Sequence, residues 1–585
     1  MNMMKETEST DQLVRVATVA EVEGHGCIVV HVKGHSIALI LEKGQVYAMD
    51  SRCPHMGFPL QRGTVQDGVL TCHWHHARFD LASGGCFDQF AGDVRVFPVQ
   101  IREGEVWVDV APQQDPKSRQ GDRLQVGMER DIPLTIGKAV IMLLDLGEDP
   151  AEPFRIGLDF GVRYRSAGWG QGLTMHTCLM NVLPYLQADD RPRALYHGLS
   201  AISRECAGAP PRFPIRPLPQ TTTDPGTFKR WFRQFVEVRD AEGAERCIVS
   251  AVRAGASRLE MADMLFSAVT DHRYIQIGHV ADFTNKAFEA LEVAGWEHAE
   301  SVLSSLATAY ANAGRMEESN SWRHPIDLIE ILQKAFDALP AALEFGRGQR
   351  GRWSSGEELA DLLLGEDPKA IADGLLEAVR QGAVEDELAG AVAYAAALRV
   401  ARFHVSNEFA DWDTALHTFT FANAIQQGLR LIPSPELLRG VFDAAMSVYL
   451  DRFLNMPPAS LPQSSNVKTP PEALLDELTP LLDHRQRSDH AGKLVADFLY
   501  GGGDPNLLLT RLGKLLLRED RDFHTIQMVE ASIRQYESHR GAPSGTNILV
   551  AAARYLAAHS PTVRAQDQTY VIAHRLHQGE HIYEE

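Results

Sequence analysis

Two short segments pair cysteine with histidine: Cys53-Pro54-His55-Met56-Gly57, and Cys72-His73-Trp74-His75-His76-Ala77-Arg78-Phe79-Asp80. A C-x-H loop and a C-x-x-H loop, about sixteen residues apart, offer two sulfur and two imidazole donors, the composition of a metal centre shared between two loops. The flanking sequence reads as short strands. Cys27–Val32 and Ser36–Leu41 are apolar runs, and Val94–Val99 and Val106–Val110 alternate as half-buried strands do. Gly34, Gly44, Gly63, Gly68 and the Gly84-Gly85 pair punctuate them. The pattern predicts a small antiparallel all-β domain over residues 12–112.

Two cysteines and two histidines also suit tetrahedral zinc. Zinc motifs usually keep their cysteines together and their histidines together, whereas here each loop supplies one of each. With Trp74, Phe79-Asp80 and Ser83-Gly84-Gly85 beside them, the two loops closely resemble the Rieske family. That resemblance implies a [2Fe–2S] cluster in which Cys53 and Cys72 hold one iron and His55 and His75 the other. Neutral imidazoles in place of two thiolates raise the potential above that of all-cysteine ferredoxins. His73 and His76 fall off the motif and read as solvent-facing. Some Rieske proteins add a disulfide-forming cysteine to each loop. This chain has Gly57 and Arg78 thereabouts, and Cys86 has no partner on the first loop. The domain therefore resembles the ferredoxin and ring-oxygenase kind.

At 585 residues the chain is too long for one core. A formal charge of −20 argues against nucleic acid or an anionic membrane as partner. No window approaches a membrane span, residues 1–12 do not read as a secretory signal, and seven cysteines do not make a disulfide framework. These features point to the cytoplasm.

Residues 113–125 are polar and read as a linker. From residue 126 to 585, Ala, Leu, Glu and Arg recur at helical spacing, and strand signals nearly vanish. The expectation is a large all-α domain of degenerate helical-hairpin repeats. Its marks are Leu146-Gly147-Glu148-Asp149-Pro150, Leu364-Gly365-Glu366-Asp367-Pro368 and, more loosely, Gly502-Gly503-Asp504-Pro505. Downstream of them, His176, His279, His417 and His524 each read as opening a helix.

One such histidine would ordinarily be structural. Four at equivalent places suggest side chains aimed at a common cavity, as in bundles that assemble metal sites. His272 precedes His279 and His404 precedes His417, giving six candidate ligands; Glu408, Asp411 or Asp413 could add an oxygen donor. Lys286 lies two turns after His279 on the same face. Imidazoles with an oxygen ligand suit a mononuclear non-haem iron. Trp169, Phe283, Phe419 and Phe421 are candidate cavity walls, or core.

Ring-hydroxylating Rieske oxygenases carry a D-x-x-H-x-x-x-x-H segment on a helix-over-sheet domain, which this sequence lacks. Asp271–His279, Glu289-Ala290-Leu291 and Asp413–His417 instead resemble pieces of the questin oxidase family, helical oxygenases of polycyclic aromatic polyketides. By that resemblance His176, His272 and His417 match family histidines, while His279 stands where a tyrosine is expected and Gln276 where a histidine is. The combined expectation is an oxygenase passing electrons from the cluster to a histidine-ligated iron, acting with dioxygen on an organic, aromatic substrate. No glycine-rich dinucleotide fingerprint follows a strand, so an external ferredoxin or flavin reductase is the expected electron donor. The competing reading is a non-catalytic electron carrier or redox sensor with a helical docking scaffold.

Overall fold

A computed structural model describes residues 13–88, 90–111, 115–219, 224–463 and 469–580. The chain divides into two compact units, residues 1–156 with 568–585, and residues 157–567.

The first unit carries the strands. β2 (Cys27–Val32), β3 (His35–Glu42), β4 (Gln45–Asp50) and β8 (Val96–Phe97) form one antiparallel sheet, and β1 (Leu13–Thr18), β10 (Glu105–Asp109) and β9 (Val99–Arg102) a second. β5 (Thr64–Gln66), β6 (Val69–Thr71) and β7 (Arg78–Asp80) form a third. The run expected as one strand over Val94–Val99 is divided between β8 and β9, because Pro98 has no N–H to give to a ladder. Ile40, Met49, Leu60, Leu70 and Phe79 pack into one core, and both Cys53 and Cys72 are buried in it.

The segment expected as a linker is helical in its described part. Residues 113–114 lie outside the described residues, but Pro116–Glu129 is a helix. Asp115 caps it, accepting from the Ser118 N–H, and Pro116 sits in its first turn. A proline there starts a helix instead of breaking one. This helix and the next, Pro133–Asp145, belong to the same compact unit as the strands, so that unit runs past residue 125.

Among the described residues, every secondary-structure element of the second unit is a helix. The repeated Asp-Pro marks are helix starts. Asp367 accepts from the N–H groups of Lys369 and Ala370, Asp504 from Asn506 and Asp149 from Ala151. Each aspartate satisfies amides that have no helical partner, and the proline after it lacks the N–H that would be orphaned. The histidines are less regular than expected. His279 opens its helix (His279–Ala294) and His524 is second in its own (Phe523–Ser538). His176 and His417 lie inside the helices Gln171–Val182 and Phe409–Leu431. Among the described residues no helix is long and apolar enough to cross a membrane.

Replacing Asp367 by Ala should destabilise the helical unit by about 1 kcal/mol. A lowered midpoint of that unit's calorimetric transition would show it, with the β-domain's transition unmoved.

Candidate metal centres

The two Cys/His loops leave strands of two different sheets. The first follows β4 and closes on itself, Cys53 N–H donating to Phe58 O and Gly57 N–H to Cys53 O. The second joins β6 to β7, with Cys72 N–H donating to Ala77 O. Loop amides are aimed at both sulfurs, those of His55 and Met56 at Cys53 and those of Trp74 and His75 at Cys72. The Cys53 thiol and these amides together hold the Cys72 thiol down at about 6. The His55 and His75 rings stand edge to face, 4.8 Å between centroids. His55 Nδ1 is buried with no hydrogen-bond partner. Burial, then the His75 ring and Lys138, push His55 down to about 4, leaving a neutral imidazole. No three ligand atoms of these four residues lie within 4.8 Å of one another. They therefore do not converge on one ion, as zinc requires, but fit a two-iron cluster with thiolates at one end and imidazoles at the other. His73, His75 and His76 are exposed.

A second group of possible metal ligands lies in the helical unit. His279, His417 and His524 each offer a ring nitrogen, and the three nitrogens lie within 4.8 Å of one another, the one such group among the described residues. His417 Nε2 and His524 Nε2 are 3.0 Å apart. Ring centroids are 4.7 Å apart for His279 and His417, and 4.8 Å for His417 and His524. Burial, then the neighbouring imidazoles, push His417 down to about 3, and burial lowers His524. Carboxylates stand behind the outer nitrogens: Asp282 is 3.7 Å from His279 Nδ1, and Asp413 is 3.8 Å from His524 Nδ1. Tyr555 Oη donates to Asp413, and Gln527 Nε2 to Asp282. The approach to His279 is strained. Tyr274, Gln276, Ile277 and Gly278 all have positive φ, and a Cβ on Gly278 would fall 2.8 Å from Phe421 Cβ. Such strain costs about 1–3 kcal/mol per non-glycine residue and concentrates at functional sites.

The other candidates stay apart. His272 Nδ1 is 2.7 Å from Glu317, and its ring also faces Glu237. His404 bonds Ser406 Oγ in a loop. His176 is buried where Gly157 and Gly198 make room for its ring. Of the three positions matched to questin oxidases, only His417 joins the group. Glu408 and Asp411 cap the helix Phe409–Leu431. Trp169 is core, donating to Thr174 Oγ1, whereas Phe283 stacks on His279 at 5.3 Å. Sequence reasoning missed Phe523, whose ring is 4.8 Å from that of His524 and 5.3 Å from that of His279. Its position beside His524 was the only signal.

Residues 12–98 match the Rieske [2Fe-2S] domain family. The ferredoxin component of the p-cumate 2,3-dioxygenase system of Pseudomonas putida is 31% identical over 111 residues, covering 19% of this chain and 94% of the relative. Through this domain the chain belongs to the Rieske [2Fe–2S] family. Apoptosis-inducing factor 3 of Homo sapiens is 33% identical over 79 residues, 13% of each chain. The 3-chlorobenzoate-3,4-dioxygenase oxygenase subunit of Comamonas testosteroni is 43% identical over 75 residues, 11% of this chain and 17% of that one. Of these last two relatives the chain spans less than a fifth.

The Rieske domain has a support from the following helices. Lys138, on Pro133–Asp145, donates to the carbonyls of Pro54 (2.8 Å) and His55 (2.6 Å), pinning the first cluster loop from behind. Burial, then repulsion from Arg123, pushes Lys138 down to about 7, and its charged form favours the reduced, more negative cluster. Lys138→Met should shift the cluster's midpoint potential to more negative values and speed its loss to a chelator. An unchanged potential in a redox titration would exclude this role.

Proposed function

We propose that the chain is an iron-dependent oxygenase. Electrons from an external ferredoxin or flavin reductase enter at the Rieske cluster and pass to a mononuclear non-haem iron held by His279, His417 and His524, where dioxygen is used to oxidise a small aromatic compound. The observation that carries this reading is the convergence of three imidazoles from three helices in a chain that also carries a one-electron Rieske carrier. Two relatives point the same way, one a ferredoxin component of a dioxygenase system and one a dioxygenase oxygenase subunit.

The side chains suit the task. Neutral imidazoles ligate where imidazolium cannot, and burial keeps His417 and His524 neutral. Asp282 and Asp413 stand where outer carboxylates orient metal-bound histidines. An iron in such a site supplies the redox chemistry that dioxygen activation needs. A cavity of about 780 Å³ in the same unit is lined by Phe409, Trp412, Asp413, Asp522, Thr525 and His559. It reaches the carboxylates of Asp413 and Asp522, 3.8 and 4.0 Å from His524 Nδ1, and its volume suits a small organic molecule.

Anaerobic metal analysis with EPR, comparing wild type with His417→Ala, tests the assignment. Two irons belong to the cluster. We expect about three irons per chain, falling to about two in the variant while the reduced-cluster signal persists. Two irons in both proteins, with no other metal in excess, would overturn the reading and leave the helical unit as a docking scaffold.

A further inference from the structure

The first compact unit contains a cavity of about 630 Å³ against the first cluster loop. Arg52, Arg95, Arg119, Arg123, Arg130 and Lys138 line it, against four carboxylates, Asp50, Asp93, Asp122 and Glu580. In a chain with a formal charge of −20, such a surplus of cations around one cavity is not a by-product of composition. Two of them, Arg119 and Arg123, reach Asp50 only through space. Among the described residues, neither the Arg119 nor the Arg123 guanidinium makes a hydrogen bond or an ion pair. Asp93 is engaged by the Cys86 N–H, and Asp50 is the carboxylate that faces Arg95, Arg119 and Arg123 together. Burial, then repulsion from Arg119, weakens the hold of Arg123 on its proton, down to about 10. Half-buried cations that share one carboxylate among three are costly unless a further anion joins them.

We propose that this cavity binds a small molecule through a phosphate-type dianion, gripped by Arg119, Arg123 and Arg95 with Lys138 on the side of the cluster loop. Planar guanidinium forks match the oxygens of a phosphate, and a dianion compensates charges that a single carboxylate would leave over. Val126, Met142 and Leu576 give the wall an apolar portion for an organic body, and the volume admits one. The same Lys138 holds the carbonyls of Pro54 and His55, so the bound anion sits beside the cluster loop. Negative charge there disfavours adding an electron to the cluster. Occupancy therefore lowers the Rieske potential. This site stands independently of the trihistidine centre.

The test uses the full chain with its cluster loaded, at constant ionic strength, because screening alone alters weak anion binding. Inorganic phosphate, pyrophosphate and ADP are titrated separately by calorimetry, with wild type, Arg123→Gln and Arg119→Gln. We expect one saturable site per chain for pyrophosphate, weakened about tenfold or more in each variant. Saturation should also move the wild-type midpoint potential negative and leave that of the variants unmoved. ADP binding tighter than pyrophosphate would assign a nucleotide-like ligand, and equal or weaker binding the free anion. No saturable binding by any of the three to wild type would overturn the proposal. So would equal affinity in variants whose EPR shows an intact cluster.

Discussion

The helical unit is organised around one buried ammonium. Lys286 lies between Glu289 and Glu530, 2.9 and 2.7 Å from their carboxylates, and Asn181 donates to both acids. Arg534 joins Glu530 from the edge. Burial alone would strip Lys286 of its proton, but Glu289 and Glu530 more than reverse this and keep it charged. Ions so placed are stable only when every partner is present, so the cluster fixes the register of three helices, Gln171–Val182, His279–Ala294 and Phe523–Ser538. The metal-type site follows from that register. His279, Asp282, Lys286 and Glu289 share one helix face, and His524, Gln527, Glu530 and Arg534 share the opposing one. Once Lys286 meets Glu530, Asp282 meets Gln527 and His279 meets His524. The trihistidine group is the outer end of a polar seam whose inner end is the salt bridge.

What the sequence revealed depends on distance along the chain. The cluster loops were legible because ligands and spacing fall within a few residues on each loop, and the strands around them obey a period of two. The trihistidine site was half legible. His279, His417 and His524 were among six candidates, but nothing local separates them from His176, His272 and His404. The difference is made by partners far away: His417 and His524 are 107 residues apart, and Lys286 and Glu530 are 244 apart. Glu317 and Ser406 settle His272 and His404 in the same way, through contacts that no periodicity announces. The Asp-Pro marks illustrate the converse. They recur because a helix start needs a capping acid and tolerates a proline, so their repetition reports local chemistry whether or not the surrounding hairpins are related.

The two histidine sites differ in the way their tasks would require. In the Rieske domain His75 is exposed while both cysteines are buried, which would put the imidazole end of the cluster towards solvent and its sulfurs inside loop amides. In the helical unit the three imidazoles are partly buried, ringed by Phe283 and Phe523, and backed by carboxylates. An exposed edge favours exchange of electrons between proteins. A recessed one favours keeping a small molecule and excluding water. The strained segment Tyr274–Gly278 belongs to the second arrangement. Gln276 exchanges hydrogen bonds with Gly314 through its backbone and side chain, and these hold the left-handed run that delivers His279 beside His417.

Charge placement connects the first site to regulation. The excess acid of the chain gives a field that opposes reduction of any cluster within it. The cations gathered behind the Cys53–Gly57 loop counter that field at close range, where screening is weakest. A dianion bound among them would remove part of the advantage. By linkage the effect runs both ways: an anion that lowers the potential must itself be held less tightly by the reduced protein, by the same free energy. A cluster so coupled would release its ligand on reduction and regain affinity on passing its electron on. A pocket so occupied would make the cluster's potential sensitive to a phosphate-type anion without that anion touching the iron ligands.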